Sequence, residues 1–441
     1  RITPEIQQME DYINRDRDRD FQFSFRGIIG HMAMNKMPMI YMRFQPAIRY
    51  KMFSVGLDLN LEILAEDIER TPYANYKAGD VRKDEWKQLR AYPNKILFLT
   101  FGDRYDYPVF VHIGRIHDYS LGNGFLIDRY NNNLYYPDMK RSGIEVKVDY
   151  KFIVVEGFCS DITDYDMFGG RIAFRPFGLT DYRASVIGMM EIGFVFVADL
   201  NMNDRMRHDD KSYVVHDPAG PSLKAYSIEF YMPAFKSKAM SLGVYFSIAK
   251  ILELSNGYQL GIKGDIADGL LFYRAEGRYN RARFLAPLFK SQWDVQKKLR
   301  YFGASGNLGF RENIENSEYG GSIFLEFKNM WMKRKIGFFI SYEMFISGEK
   351  KLNPHFQFGF FMNRGVISDR VALRMVVDKV NINKTNAGKL SDLDTILTAE
   401  ITIMLAVNVD ISFSFIKSYT ENPQGEVIKN EVLMLETRIT F

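Results

Sequence analysis

Residues 407–415 read Val-Asn-Val-Asp-Ile-Ser-Phe-Ser-Phe, with apolar and polar side chains alternating without a slip. A period of two marks a β-strand with one apolar and one polar face, because successive side chains leave the pleat on opposite sides. A polar loop follows (Ser418 to Asn430), then a final run from Glu431 to Phe441. Counting back from Phe441, one face of that run carries Ile439, Leu435 and Leu433, while Arg438 and Glu436 point the other way. The apolar face has the bulk of a surface that meets lipid, and the opposite face carries charge.

The same pattern fills the chain from Phe21 onward. Phe53, Val55, Leu57, Leu59, Leu61 and Ile63 alternate with Ser54, Gly56, Asp58, Asn60 and Glu62. Further strands are expected near Ile96 to Gly102 and Val109 to His117. Leu242, Val244, Phe246 and Ile248 oppose Gly243, Tyr245 and Ser247. Leu397, Ala399, Ile401, Ile403 and Leu405 oppose Thr398, Glu400 and Thr402. Such runs recur often enough for about 20 strands, with 18 as the lower bound.

Composition agrees with a membrane protein that crosses in strands. The 441 residues are 46% hydrophobic and 15% aromatic, with a formal net charge of +4. Mean hydropathy is −0.21, and no apolar run reaches the length of a membrane helix. A barrel escapes that test, since every second residue faces water. No linker or charge block divides residues 21–441, which read as one domain. The single cysteine, Cys159, excludes an internal disulfide framework. The start at Arg1 without Met suggests a processed form. Near-balanced charge and the lack of a basic stripe give no reason to expect nucleic acid.

Residues 1–20 differ from the rest. Thr3 and Pro4 suit the start of a short helix, and an alternating Arg15 to Asp20 charge run follows. The segment reads either as a periplasmic arm or lumen plug, or as a solvated tail.

The connections strengthen the fold assignment. Tyr50-Lys51, Asp103 to Pro108, Tyr150-Lys151, Pro176 to Arg183, Pro233 to Lys238, Asp265 to Gly269, Asn329 to Lys333, Arg364 to Ser368 and Ala406 form one short set. Ile29 to Ile40, Ala65 to Asn94, Asp118 to Arg141, Asn201 to Pro221, Phe284 to Ser317, Ile346 to Asn353, Asn381 to Asp392 and Ser418 to Asn430 form the long set. Short turns at one end and long loops at the other are the habit of a transmembrane antiparallel up-and-down β-barrel, with the short turns periplasmic and the long loops extracellular. Unpaired backbone is costly in hydrocarbon, so the strand near Phe21 to Ile29 should pair with Glu431 to Phe441. Tyr50, Trp331, Tyr419 and Phe441 fall near strand ends, where interfacial girdles sit.

The last strand, ending in Phe441 with Leu433, Leu435 and Ile439 at alternate positions, resembles the carboxyl-terminal strand of bacterial outer-membrane β-barrels. Thr437 departs from that pattern, which prefers a bulky residue there. The resemblance implies a bacterial outer-membrane location and an insertion signal read by the barrel-assembly machinery. Ile113-Gly114-Arg115 through Asp118-Tyr119-Ser120-Leu121-Gly122 is similar to a region of alginate-export and carbohydrate-porin barrels. That likeness implies an anionic-sugar conduit with Arg115 and Arg129 as lumen contacts.

No catalytic constellation emerges. Gly303-Ala304-Ser305-Gly306 lacks the spacing of a nucleophile elbow, and Gly122-Asn123-Gly124 lacks the strand–helix context of a phosphate loop. His208-Asp209-Asp210 with His216-Asp217 has metal-ligand residue types, but a solvated polar loop is the better reading of that composition; no metal, cofactor or enzymatic activity is expected. The inward face supplies the candidate site: Arg115, Arg171, Arg175, Arg274, Glu276, Arg278, Arg370, Arg374, Glu400 and Asp410 are the expected lumen lining. Charge is cheap there if hydrated or paired, whereas one Arg at the lipid midplane costs about 2–4 kcal/mol.

A barrel this wide leaves an aqueous hole unless something fills it. The Arg1 to Asp20 arm, Asp118 to Arg141 and Phe284 to Ser317 are the candidate fillers. Three functions follow from these features. The first is a porin-like channel for polar solutes with a mixed-charge, partly narrowed lumen. The second is a plugged barrel serving as a membrane scaffold, with envelope partners held by loops or the amino-terminal arm. The third, a lipid or fatty-acid transporter, needs an apolar pocket that the inward charges disfavour.

Overall fold

The computed structural model describes residues 20–441 apart from 35–36, 68–76, 82–85, 87–90, 105–106, 134–140, 164, 166, 181–186, 202–221, 238, 268, 282–283, 285–286, 288, 290–318, 332–334, 348–349, 380–381, 383–394 and 422–426. For 34, 37, 319–331, 345–353, 418–421 and 427–430 it describes the backbone only. The expected arm at 1–20 therefore falls outside the described residues except for Asp20, as do His208 to Asp210 and His216-Asp217.

The strands begin with β1 (Phe21–Met34), β2 (Met37–Tyr50), β3 (Phe53–Leu57), β4 (Leu59–Leu64), β5 (Ile96–Phe101), β6 (Val109–Gly114) and β7 (Gly143–Tyr150). The middle of the chain supplies β8 (Ile153–Cys159), β9 (Met167–Phe174), β10 (Glu191–Asp199), β11 (Leu223–Lys236), β12 (Ser241–Ile251), β13 (Ser255–Ile266) and β14 (Leu271–Arg281). The last third adds β15 (Tyr319–Trp331), β16 (Ile336–Ser347), β17 (Lys350–Met362), β18 (Val371–Lys379), β19 (Thr395–Ala406), β20 (Val409–Glu421) and β21 (Val427–Thr440). All 21 belong to one sheet. β3 and β4 both pair with β2 and are two halves of one wall strand interrupted at Asp58, so the wall has 20 positions, each antiparallel to its neighbours.

The ring is closed. β1 pairs with β21 from Arg26↔Thr440 to Met34↔Val432, and the ladder continues through Phe25 N–H donating to Phe441 O at 3.0 Å and Phe441 N–H to Phe25 O at 2.8 Å. Closure leaves no row of unpaired backbone groups, which no solvent in a bilayer core would satisfy.

The two faces are inverted relative to a water-soluble protein. Phe21, Phe194, Ile248, Leu260, Phe413 and Leu435 are exposed on the outside, whereas Arg43, Asp58, Glu276, Arg278 and Glu436 are buried on the inside. Period-two alternation alone produces this, since each ladder keeps one parity on one face.

Several expected boundaries shift. The connections expected at 29–40 and 346–353 are tight hairpins, with Met34 facing Met37 and Ser347 facing Lys350. Apolar residues at both parities in 29–40, and a mostly polar and charged run in 346–353, masked the strands' true length. Loop length is still asymmetric: 65–95, 115–142, 200–222, 282–318 and 380–394 lie at one end, and 175–190 is the longest connection at the other. Asn408 lies in the β19–β20 turn. β6 stops at Gly114, so Arg115 to His117 leave the wall where a continuing strand was expected.

Candidate functional site

The wall is uneven in height. β5 and β6 have six residues each, whereas β1, β2, β11 and β21 have 14. Six residues rise only about 20 Å along the strand. At this low wall the chain turns inward. Gly114 makes the exit at φ +142, where a Cβ would press on the Leu97 carbonyl at 2.6 Å and Phe98 Cα at 3.0 Å.

The segment beyond it forms a hairpin inside the ring. Tyr119 and Tyr130 exchange backbone hydrogen bonds of 3.0 and 2.9 Å, and Leu121 N–H reaches Ile127 O at 3.2 Å. Ile116, Tyr119, Leu121, Phe125, Leu126, Ile127 and Tyr130 bury their side chains in one cluster with inward residues of β8 to β12, among them Phe158, Val195, Val197, Ala225 and Ile251. Tyr119 stacks on Phe158 at 4.7 Å between ring centroids, and Tyr130 meets the same ring edge-on at 5.2 Å. Each such buried apolar side chain contributes on the order of 2 kcal/mol. This stretch of inward wall is apolar because the hairpin covers it.

Polar contacts set the hairpin's position. Asn123 N–H donates to Glu229 Oε2 at 3.0 Å, and its side-chain amide donates to Phe230 O and Ser247 Oγ, both at 3.3 Å. Asp128 accepts from Ser120 Oγ and from Arg274 Nη1 on β14, each at 2.9 Å. Arg129 Nη2 donates to Ser341 Oγ at 3.0 Å. Ser341 belongs to β16, which stands opposite β6 in the ring order. The hairpin thus runs from its root to the far wall. Its backbone is left-handed at Asp118 (φ 52) and Arg129 (φ 54), conformations that non-glycine residues hold only where surrounding contacts impose them.

Gly122 shows how closely the parts fit. It sits at φ +61, and a Cβ there would overlap the Glu229 carboxylate. Gly269, at φ +81, has open space where a Cβ would stand, with no atom within 4 Å. Gly122→Ala is therefore expected to lower the melting temperature clearly more than Gly269→Ala. Both carry a left-handed penalty of about 1–2 kcal/mol, and only the first displaces a buried carboxylate. Equal losses would mean the hairpin yields freely at Glu229.

The inward charges form paired chains. Arg171 contacts Glu156 at 3.0 Å, Glu191 at 2.7 Å and Glu229 at 3.5 Å. Arg175 Nη2 lies 2.8 Å from Glu191. Arg274 pairs with Asp128 and Glu276, and Arg278 with Glu276 and, at 2.6 Å, Glu343. His355 Nε2 and Gln357 Nε2 each meet Asp378 at 2.7 Å. Arg43 bonds Asp58 at 3.1 Å, and Arg115 closes on the same carboxylate. Arg438 bridges Glu436 and Glu400, the latter at 2.6 Å. Removing one partner of such a buried pair costs about 3–5 kcal/mol, because the other charge is stranded.

Solvent reaches this face unequally. Side chains of Lys147, Asp149, Arg175, Arg364 and Asp410, toward the short-turn end, keep between 20% and 33% of their exposure. Those of Asp58, Glu276, Arg278 and Glu436, at the waist, keep 0–1%. Hairpin groups carry the electrostatic signature of a closed interior. Burial alone would raise the Asp128 carboxyl, but Arg274 and Arg129 outweigh it and hold it below the usual carboxylate range. Burial, with Arg115 and His112 nearby, pulls His117 down to about 3, so its ring is neutral at pH 7.

Of the residues expected to line the lumen, Arg171, Arg274, Glu276, Arg278, Glu400 and Asp410 lie on inward strand positions, and Arg175 directly follows β9. Arg374 faces Glu400 in register. Arg115 roots the inserted hairpin. Arg370 lies outside the wall strands, exposed in the turn before β18. Sequence reasoning missed Asp128 and Ser341, whose partners lie 146 and 212 positions away. It also missed the apolar inward patch, whose one trace is Phe194-Val195-Phe196-Val197-Ala198, apolar at both parities.

No family model and no curated protein match the chain. Among solved structures it is similar to Pseudomonas aeruginosa outer-membrane porins. OccK11 (OpdR) aligns at 7% identity with a TM-score of 0.38, covering 96% of each chain. OccK5 (OpdH) aligns at 8% and 0.38, covering 96% of this chain and 98% of its own. OccK2 (OpdF) aligns at 7% and 0.37, covering 96% of each. On its own geometry, a closed ring that is apolar outside and charged within, the chain is a transmembrane antiparallel up-and-down β-barrel.

Proposed function

We propose that the protein is an outer-membrane channel for polar solutes, held narrow by the 119–130 hairpin. The reading rests on the reach of that hairpin from β6 to Ser341 on β16, in a ring wide enough to conduct water if empty. A vestibule lined by Lys147, Asp149, Arg175, Arg364 and Asp410 opens toward the short-turn end, and both signs of charge there predict weak selectivity between small cations and anions. The lumen contacts for a passing solute are Arg175, Asp410 and their neighbours at this rim. The buried, ion-paired arginines of the waist act as fixed structure.

Planar-bilayer recordings of the full chain test this. Discrete steps are expected, well below those of an unobstructed barrel of this size, with a cation-to-anion permeability ratio near one. Insertion without current at any voltage would refute the channel, and a wide, ungated conductance would refute the narrowing. The burial of waist charges such as Glu276 and Glu436 favours a second reading, a plugged barrel that anchors an envelope assembly. Co-purification of a partner at fixed stoichiometry, together with silent bilayers, would select it.

A further inference from the structure

On β11 to β14 the outward-pointing positions carry three charged residues, Lys224, Lys250 and Arg281, and all three are cations. Each is exposed, and each stands at the end of its strand nearest the long loops. Tyr226 pairs with Lys250, and Lys250 with Asn256. Leu252 N–H bonds Lys224 O at 2.8 Å, placing Lys224 one step above that row. Arg281 follows Asn280, which pairs with Gly257. Four neighbouring strands spread the cations over about 15 Å. Glu253, in the 252–254 hairpin, lies beyond the row toward the loops.

What lies beneath them is ordered by polarity. Along its own strand each tyrosine is the next outward residue inward from the rim, Tyr226 after Lys224, Tyr258 after Asn256 and Tyr279 after Arg281, with Tyr258 and Tyr279 rings 6.1 Å apart. Exposed Ile228 follows Tyr226 on β11 and Leu260 follows Tyr258 on β13, while on β12 Ile248 follows Lys250 directly. Apolar residues below, tyrosines at the border and cations at the rim are the profile of a surface passing from acyl chains through the interface to charged headgroups. The cations share the sideways-facing parity of the aliphatic residues below them. A partner that meets them therefore approaches from within the membrane plane.

We propose that Lys224, Lys250 and Arg281 form a docking surface for the phosphate groups of an anionic lipid headgroup in the leaflet at the long-loop end. This rests on the transmembrane reading above. Each cation near such headgroups strengthens binding roughly fivefold, and the flanking tyrosines bury against the upper acyl chains.

The test uses the full chain in detergent, stripped of lipid, with bound lipid counted by native mass spectrometry. The probes are a diphosphorylated acyl glycolipid, its dephosphorylated counterpart and inorganic phosphate. The wild type is expected to retain the phosphorylated lipid at least about tenfold more tightly than K224Q/K250Q/R281Q. K51Q/K151Q, altered at the opposite rim, should bind as wild type does. Heat-modifiable migration on gels confirms that each variant is folded. Equal retention by the triple variant, or full displacement of the lipid by millimolar inorganic phosphate, overturns the proposal. A wild type that stays monodisperse without any detergent overturns the transmembrane reading itself, an outcome distinct from loss of this one contact.

Discussion

Phe413→Arg is expected to remove most folded protein from the membrane. Phe413 sits mid-strand on β20, 49% exposed on the outer face, with Ile401 and Leu435 as lateral neighbours. An arginine there meets hydrocarbon and costs about 2–4 kcal/mol, a large share of the roughly 5–15 kcal/mol by which a domain is stable. Thr402→Arg is the control. Thr402 points inward, beside Glu400 and opposite Ser412, so the new cation finds a carboxylate and should be tolerated. Asn408 would be a poor control, because it lies in the turn and reports neither face. The folded, heat-modifiable fraction in isolated membranes is the measurement. Equal damage from both variants would place the wrong face toward lipid, since a one-residue slip exchanges every side chain.

Replacing residues 117–130 by a short Gly-Ser linker is expected to raise single-channel conductance several-fold, the second large effect. The hairpin occupies the lumen from β6 to β16, and a ring of this width holds an aqueous passage once cleared. The apolar wall it exposes, Val195, Val197 and Ala225 among others, will lower stability, so folded protein must be verified before recording. Asp128→Asn is the milder form. It weakens the contact with Arg274 while leaving Arg274 paired with Glu276, and it should produce brief openings. An unchanged conductance in the linker variant would overturn the narrowing role.

The same contact sets a pH expectation. The Asp128 carboxyl is held below its ordinary value of about 3.9. Its stabilising contribution is therefore complete above about pH 4 and is lost only as pH falls through the lower folded value. Conductance should stay constant from pH 8 to pH 5 and increase only under strong acid. A transition between pH 7 and pH 5 would locate the latch at a different group.

Much of this protein was legible in one dimension. Period two in runs such as 53–63 and 407–415 determined strands, faces and, through the cost of an open edge in hydrocarbon, closure of the strand near Phe21 to Ile29 onto Glu431 to Phe441. Asp118 to Arg141 is one of three stretches expected to fill the lumen. What the periodicity could not supply was pairing at a distance. Alternation states that Arg274 points inward, yet its meeting with Asp128, or Arg129's with Ser341, depends on strands brought together only when the ring closes. The apolar patch at Val195, Val197 and Ala225 breaks the two-face rule for the same reason. Its partner is a hairpin from another part of the chain, and burial against that hairpin, rather than against lipid, makes those side chains apolar on the inner face.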